Sequence, residues 1–239
     1  LPSVDRRSAG SSRARTRTEE PSQNERAYTG LRERLTTLVY RPGEHLNIST
    51  LVDDLDIGRT PINQALHRLA NEGLVQILPR KGVVVAPLSI DDALHLIDVR
   101  LANETLCARL AAERITPAGL QKLEAILRQV DDAVAQRDLP QVTHLDRLFH
   151  EQIAEISGNP ILIEILKVLH ARSQRFWAIS LSSEGHLGEV GAEHRAILQA
   201  LRDGDAAAAA SAVTAHVLSF RQSLLQGRRE TVFAAADQA

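Results

Sequence analysis

β structure is legible in this chain at one place, residues 74–86, and no alternating or β-branched run recurs after it. Few architectures survive that constraint: a small mixed unit in front, joined to an all-α unit behind.

The front unit reads in order. Over residues 28–39 the apolar positions Leu31, Leu35, Leu38 and Val39 recur at helical spacing, and Arg41-Pro42-Gly43 stops the run. A short helix over residues 49–55 follows, then a tight turn at Asp56-Ile57-Gly58. Thr60-Pro61 predicts the opening of a third helix, with a hydroxyl cap followed by proline at its first position. Asn71-Glu72-Gly73 ends it, with Gly73 suited to the left-handed C-terminal position. Residues 74–78 and 83–86 then form two strands of a hairpin around Pro79-Arg80-Lys81-Gly82. Helix, short helix, turn, helix and hairpin make a winged helix-turn-helix, whose third helix lies in the DNA major groove. That helix sorts into an apolar side, Ile62, Ala65, Leu66 and Leu69, and a polar side, Thr60, Asn63, Gln64 and His67. An amphipathic surface helix has the same two sides; the adjoining turn and the basic hairpin tip favour DNA.

After Pro87-Leu88, the segment Ser89-Ile90-Asp91-Asp92 has the form of a helix-capping start. Breaks at Thr116-Pro117, Asp138-Leu139-Pro140, Ser157-Gly158-Asn159-Pro160, residues 181–188 and Asp203-Gly204-Asp205 divide the rest into about six helices. The expected fold is therefore mainly α: a disordered tail over residues 1–24, a winged helix-turn-helix over 25–86, a linker over 87–90, an all-α bundle over 91–227 and a C-terminal tail over 228–239. Arg6, Arg7, Arg13, Arg15 and Arg17 give the first tail a basic character, which a solvated segment can have without touching phosphates.

Charge supports the division. The whole chain carries a formal −2, but residues 1–88 sum to +3 and residues 89–239 to −5. A near-neutral average thus permits a DNA-binding front half. Cys107 is the single cysteine and forms no internal disulfide. Apolar runs such as residues 161–169 are broken by Glu164 and Lys167, well short of the roughly 18 residues of a membrane span. The first residues lack the apolar segment of a secretory signal, so the expected location is cytoplasmic.

The nine histidines carry the remaining signal. His45, His67, His95, His144, His170 and His186 show no partner pattern and read as surface or packing residues. Asp146 and His150 are four apart, on one face of a helix. His194 lies among Ile197, Leu198 and Leu201, and His216 among Val213, Phe220 and Leu224, so both point inward. His194 stands 10 residues before Gly204 and His216 12 after it. At about 1.5 Å rise per residue, antiparallel helices bring the two to within about 3 Å of the same height. Three imidazoles and one carboxylate suit a divalent ion, zinc first, with nickel or manganese also compatible. Each histidine by itself also reads as a satisfied core residue.

The stretch from Leu46 to Ala86 resembles the GntR family of bacterial transcription regulators. The resemblance rests on Arg59-Thr60-Pro61, Ala65-Leu66-His67-Arg68-Leu69, Glu72-Gly73-Leu74-Val75 and Arg80-Lys81-Gly82-Val83. The all-α second unit points to the FadR-type branch, whose effector domain is called FCD, and the similarity extends over residues 28–226. It implies that Arg59 and Thr60 contact an operator, with Lys81 and Gly82 reaching from the wing beside Arg80. Family members usually carry Arg-Glu where this chain has Asn63-Gln64, and Asn and Gln favour adenine where Arg favours guanine. An A·T pair is therefore expected opposite Asn63. The resemblance also implies metal binding by an Asp-x-x-x-His pair plus two later histidines, which Asp146, His150, His194 and His216 match. It further implies a carboxylate-holding arginine facing the metal, which Arg100 matches; a surface salt bridge to Glu104 is the alternative.

The resulting expectation is a ligand-responsive transcriptional regulator, of repressor type. It would act as a homodimer on a palindromic double-stranded operator and sense a small organic acid at a metal-containing site. It is expected not to be an enzyme and to have no membrane partner. Two alternatives stay open: a metal-dependent hydrolase fused to a DNA-binding domain, and a regulator whose metal is purely structural. Against the hydrolase, no nucleophile motif is present, and Glu193, adjoining His194, is expected to point elsewhere.

Overall fold

A computed structural model describes residues 21–180 and 186–236. Among them run nine helices and three short strands. The basic tail arginines and residues 181–185 lie outside the described residues.

The front unit comprises α1 (Gln23–Thr36), β1 (His45–Leu46), α2 (Ile48–Leu55), α3 (Arg59–Asn71), β2 (Val75–Leu78) and β3 (Gly82–Val85). Its hairpin pairs Val75 with Val85 and Leu78 with Gly82. β1, which has no sequence signal of its own, pairs with the outer edge of β3 to give the order β1-β3-β2. Ser22 caps α1, so that helix begins inside the expected tail, by two residues. The hydroxyl cap expected of Thr60 is not formed. Gly58, with extended ψ, is the N-cap of α3 and offers no side chain, so Arg59 and Thr60 are already helical. Gly73 has φ +74, as its position after α3 requires.

The rear unit is six helices: α4 (Ile90–Arg114), α5 (Pro117–Ala135), α6 (Leu139–Ser157), α7 (Pro160–Ser180), α8 (His186–Arg202) and α9 (Ala206–Ala236). Side-chain oxygens of Ser89, Thr116 and Asp138 accept backbone N–H groups at the starts of α4, α5 and α6, and left-handed Gly158 closes α6. α9 runs to Ala236, beyond the point where a tail is expected; alanines at 234–236 are strong helix formers and let it continue. α4 lies along α9 and across α6 and α7, and its inner face joins Phe149, Trp177, Leu201 and Phe220 in one apolar core.

The two units share more than a linker. Ala171 of α7 is fully buried in the core of the front unit, among residues such as Leu31 and Leu69. Arg32 of α1 donates to the Lys167 carbonyl at 2.9 Å, Arg172 donates to the Glu72 carbonyl at 2.7 Å, and Arg175 donates to the Ala86 carbonyl. α7 is thus the common wall. Gly73 has a second reason to be glycine here, since a Cβ would lie 2.3 Å from the Arg172 guanidinium.

Candidate functional site

In the front unit the apolar side of α3, Ile62, Ala65, Leu66 and Leu69, is buried. Arg59, Thr60, Gln64 and His67 are exposed and Asn63 is half-buried, so the polar side faces outward. Arg80, Lys81 and Gly82 are exposed between β2 and β3. Left-handed backbone at Arg80 (φ 63) and Gly82 (φ 85) forms this tip. The Arg59 guanidinium donates to Ser49 Oγ of α2 at 3.3 Å, which orients it near the start of the recognition helix.

In the rear unit Asp146 and His150 of α6, His194 of α8 and His216 of α9 converge, with one ligand-type atom from each inside a common span of 4.8 Å. The three histidines are at most 6% exposed. The antiparallel alignment of α8 and α9 around Gly204 places the His194 and His216 ring centroids 4.9 Å apart, as the residue count predicts. His150 Nε2 and His194 Nε2 lie 3.8 and 3.2 Å from Asp146 Oδ1. None of these three atoms has a hydrogen-bond partner, and all are buried. Buried polar atoms are rarely left without partners, because each forfeits its hydration. Their orientation toward one point is what a shared cation would satisfy, and the donor set of three nitrogens and one oxygen fits zinc.

The surroundings support the same donor geometry. Glu193 Oε2 lies 2.8 Å from His216 Nδ1, whereas Glu104 Oε2, 3.7 Å from His150 Nδ1, is too far for a hydrogen bond. A carboxylate on the outer nitrogen of an imidazole directs the lone pair of its other nitrogen inward, an arrangement typical of metal-ligating histidines. Glu193, adjoining His194 in sequence, is engaged with a ligand. Burial drives the pKa of His150 well below the ordinary value and lowers that of His194, so both rings are neutral donors near pH 7. Burial opposes ionisation of Asp146, yet the facing imidazoles of His194, His150 and His216 outweigh it and hold the carboxyl well below its usual range.

The alternative reading of Arg100 and the reading of His170 both need correction. The Arg100–Glu104 pair is no surface salt bridge: Arg100 Nε meets Glu104 Oε1 at 2.5 Å, with the side chains 3% and 4% exposed. Arg100 therefore does not stand free; one terminal nitrogen is buried without a partner, and its guanidinium lies 5.6 Å from the Phe220 ring centre. His170 is not an incidental packing residue. Its Nε2 lies 3.3 Å from Glu104 Oε1, and its ring centroid is 5.3 Å from that of His150. A lone histidine on α7 and a carboxylate on α4 share no spacing rule, so sequence pattern does not flag their meeting.

Comparison with known families now decides the assignment. Residues 23–85 match the bacterial regulatory proteins of the gntR family, and residues 95–219, more than half of the chain, match the FCD domain. The chain belongs to the GntR family, FadR-type branch. This GntR protein is similar to the HTH-type transcriptional repressor RspR of Escherichia coli (strain K12), 28% identical over 207 residues, covering 87% of the chain and 91% of the relative. The HTH-type transcriptional regulator McbR of the same strain is 28% identical over 142 residues, 59% of the chain and 64% of the relative. Among solved structures, E. coli McbR/YncC superposes with a TM-score of 0.81 at 23% identity, over 87% of the chain and 100% of that structure. A putative GntR regulator from Rhodococcus sp. RHA1 gives 0.72 at 21% identity, over 86% and 99%. The structural matches establish the shared fold, and the family match makes this GntR protein a DNA-binding transcriptional regulator. Among the described residues no helix is long and apolar enough to cross a membrane.

Proposed function

We propose that this GntR protein is a ligand-responsive repressor whose rear unit senses a small organic acid at a divalent-metal centre. Asp146, His150, His194 and His216 would hold the ion, zinc first. The observation that carries this reading is the convergence of four ligand side chains from three helices on one point, with ligand atoms of Asp146, His150 and His194 buried and unpartnered. The ion, when bound, supplies a Lewis-acidic point for a carboxylate. Arg100 contributes a buried cation on the same layer, its Nε oriented by Glu104 and one terminal nitrogen left for an acid group. The front unit would read double-stranded operator DNA through Arg59, Thr60, Asn63, Gln64 and His67 in the major groove and Arg80, Lys81 and Gly82 from the wing. A homodimer would place two such heads on a palindrome.

Coupling between the layers has a physical basis in α7. His170 of that helix faces Glu104, whereas the adjoining Ala171 packs in the core of the front unit and Arg172 donates to the Glu72 carbonyl at the end of α3. An acid that prefers one placement of α7 would shift the population of DNA-competent heads. An enzymatic reading is weaker, since Glu193, the carboxylate adjoining His194, is committed to His216.

The deciding experiment purifies the full chain without chelator and measures bound metal, then titrates carboxylates by calorimetry and follows operator release by anisotropy. One divalent ion per chain, lost in Asp146→Asn, together with acid-dependent release, is expected. Absence of any ion from the wild type would overturn the metal centre; metal removal that lowers only the melting temperature would make the ion structural.

A further inference from the structure

We propose that Glu104, His150 and His170 form a second, weaker divalent-cation station, at the floor of a groove between α6 and α7, through which the ion reaches the inner centre. The proposal builds on the metal reading above. One oxygen or nitrogen from each of the three side chains lies within 4.8 Å of the others, and all three residues are buried. Glu104 Oε2 and both ring nitrogens of His170 are buried without a hydrogen-bond partner. Two imidazoles and a carboxylate are a competent set for a borderline divalent ion.

Position gives this trio its role. His170 lines an outer groove of about 410 Å³ whose walls carry Glu151, Glu155 and Glu164 beside one cation, Lys167, and apolar residues such as Leu148 and Ile163. The same ring lines a small inner cavity with Glu104 and His150. With Leu166, which also lines both, it forms the partition between a groove with an excess of carboxylates and the buried layer. Arg100 already holds Glu104 Oε1, and its positive charge lowers the affinity of the trio for a second cation relative to the inner set. A station of transit should be the weaker of the two.

His150 joins the stations. Its Nδ1 faces Glu104 and its Nε2 faces Asp146. A neutral imidazole offers a lone pair on only one nitrogen. With the ion outside, Nδ1 ligates and Nε2 carries the proton; with the ion inside, Nε2 ligates and Nδ1 presents the proton to Glu104. Passage inward thus exchanges one ring proton between the two nitrogens, with no net proton gained or lost. The two stations exclude each other, and the chain holds one ion at a time.

Cobalt(II) provides the readout through its ligand-field absorption. Demetallated full-length protein should bind one Co²⁺ per chain. His194→Leu/His216→Leu, which leaves the trio intact, should still bind one, at least about tenfold more weakly. Adding His170→Leu to that variant should abolish binding. A double variant that binds no Co²⁺ while the wild type binds one overturns the station, as does binding unaffected by the added His170→Leu. Independently of whether the double variant folds, His170→Leu alone should keep one Co²⁺ per chain but take it up at least about tenfold more slowly in stopped flow; an unchanged rate overturns the route. A wild type that binds no Co²⁺ instead refutes the inner centre itself.

Discussion

Replacing Arg100 by methionine leaves the volume of α4 nearly filled but strands the Glu104 carboxylate in a layer where it is only 4% exposed. Removing one partner of a buried ion pair costs about 3–5 kcal/mol, because the remaining charge keeps its desolvation without its compensation. For a chain of this size each kcal/mol moves Tm by about 2–4 °C, so Arg100→Met should melt roughly 6–20 °C lower. In the wild type, burial opposes ionisation of Glu104, but Arg100, with His170 and His150 beside it, holds the carboxyl well below its usual range. Without Arg100 only His170 and His150 are left to offset burial, and the folded-state pKa of Glu104 rises relative to the wild type. Stability tied to a raised pKa is present at low pH and lost as pH rises through it, so the deficit should shrink as pH falls toward about 5. Urea unfolding of chelator-treated protein, followed by circular dichroism at about pH 7 and about pH 5, measures the difference. Arg100→Met/Glu104→Gln strands no charge and should return to within about 1–2 kcal/mol of the wild type. A single variant as stable as the wild type, or a double variant no better than the single, would refute the reasoning.

Three further outcomes follow from the same geometry. His150 and His194 have folded pKa values below their unfolded ones, so the unfolded chain binds more protons and apoprotein stability should fall as pH drops below about 6.5, by on the order of 1 kcal/mol per pH unit for each ring; a flat urea profile between pH 7 and 5 would contradict it. Gly73→Ala should cost about 2 kcal/mol, combining left-handed strain with the clash against Arg172, and only about 1 kcal/mol in an Arg172→Ala background; equal costs in the two backgrounds, measured as a double-mutant cycle, would deny the contact. Asn63→Ala should lose about 1–3 kcal/mol of discrimination for A·T at one operator position, read by selection from a randomised site, and an unchanged preference everywhere would exclude Asn63 as a base reader.

What sequence could reveal followed the range of the interactions. Gly73, Ser89, Thr116 and Asp138 announce helix ends because capping acts within a few residues. Within Asp146, His150, His194 and His216 each pair was legible because two lie one turn apart and two flank a single tight turn, while the meeting of the two pairs is what the family resemblance implied. Glu104 and His170 meet only when α4 crosses α7, and β1 is a strand only because β3 offers it an edge. Thr60 misled because threonine before proline has the chemistry of a cap, whereas the extended backbone that a cap requires falls at Gly58. The Arg100–Glu104 spacing suits a surface bridge or a buried one equally, and only packing against Phe220 separates them.

The presence of Ala171 in the core of the front unit bears on how such regulators can be recombined. A hybrid made by cutting at Pro87 and grafting the first 87 residues onto a foreign sensor removes a fully buried piece of the head's own interior, together with the arginines that hold the Glu72 and Ala86 carbonyls. The foreign helix that takes the place of α7 would have to present a small side chain at one position and guanidinium groups one and four residues later. Exchange of DNA-reading heads therefore requires matched helices rather than matched linkers, and the unit of inheritance is the head together with the wall it leans on.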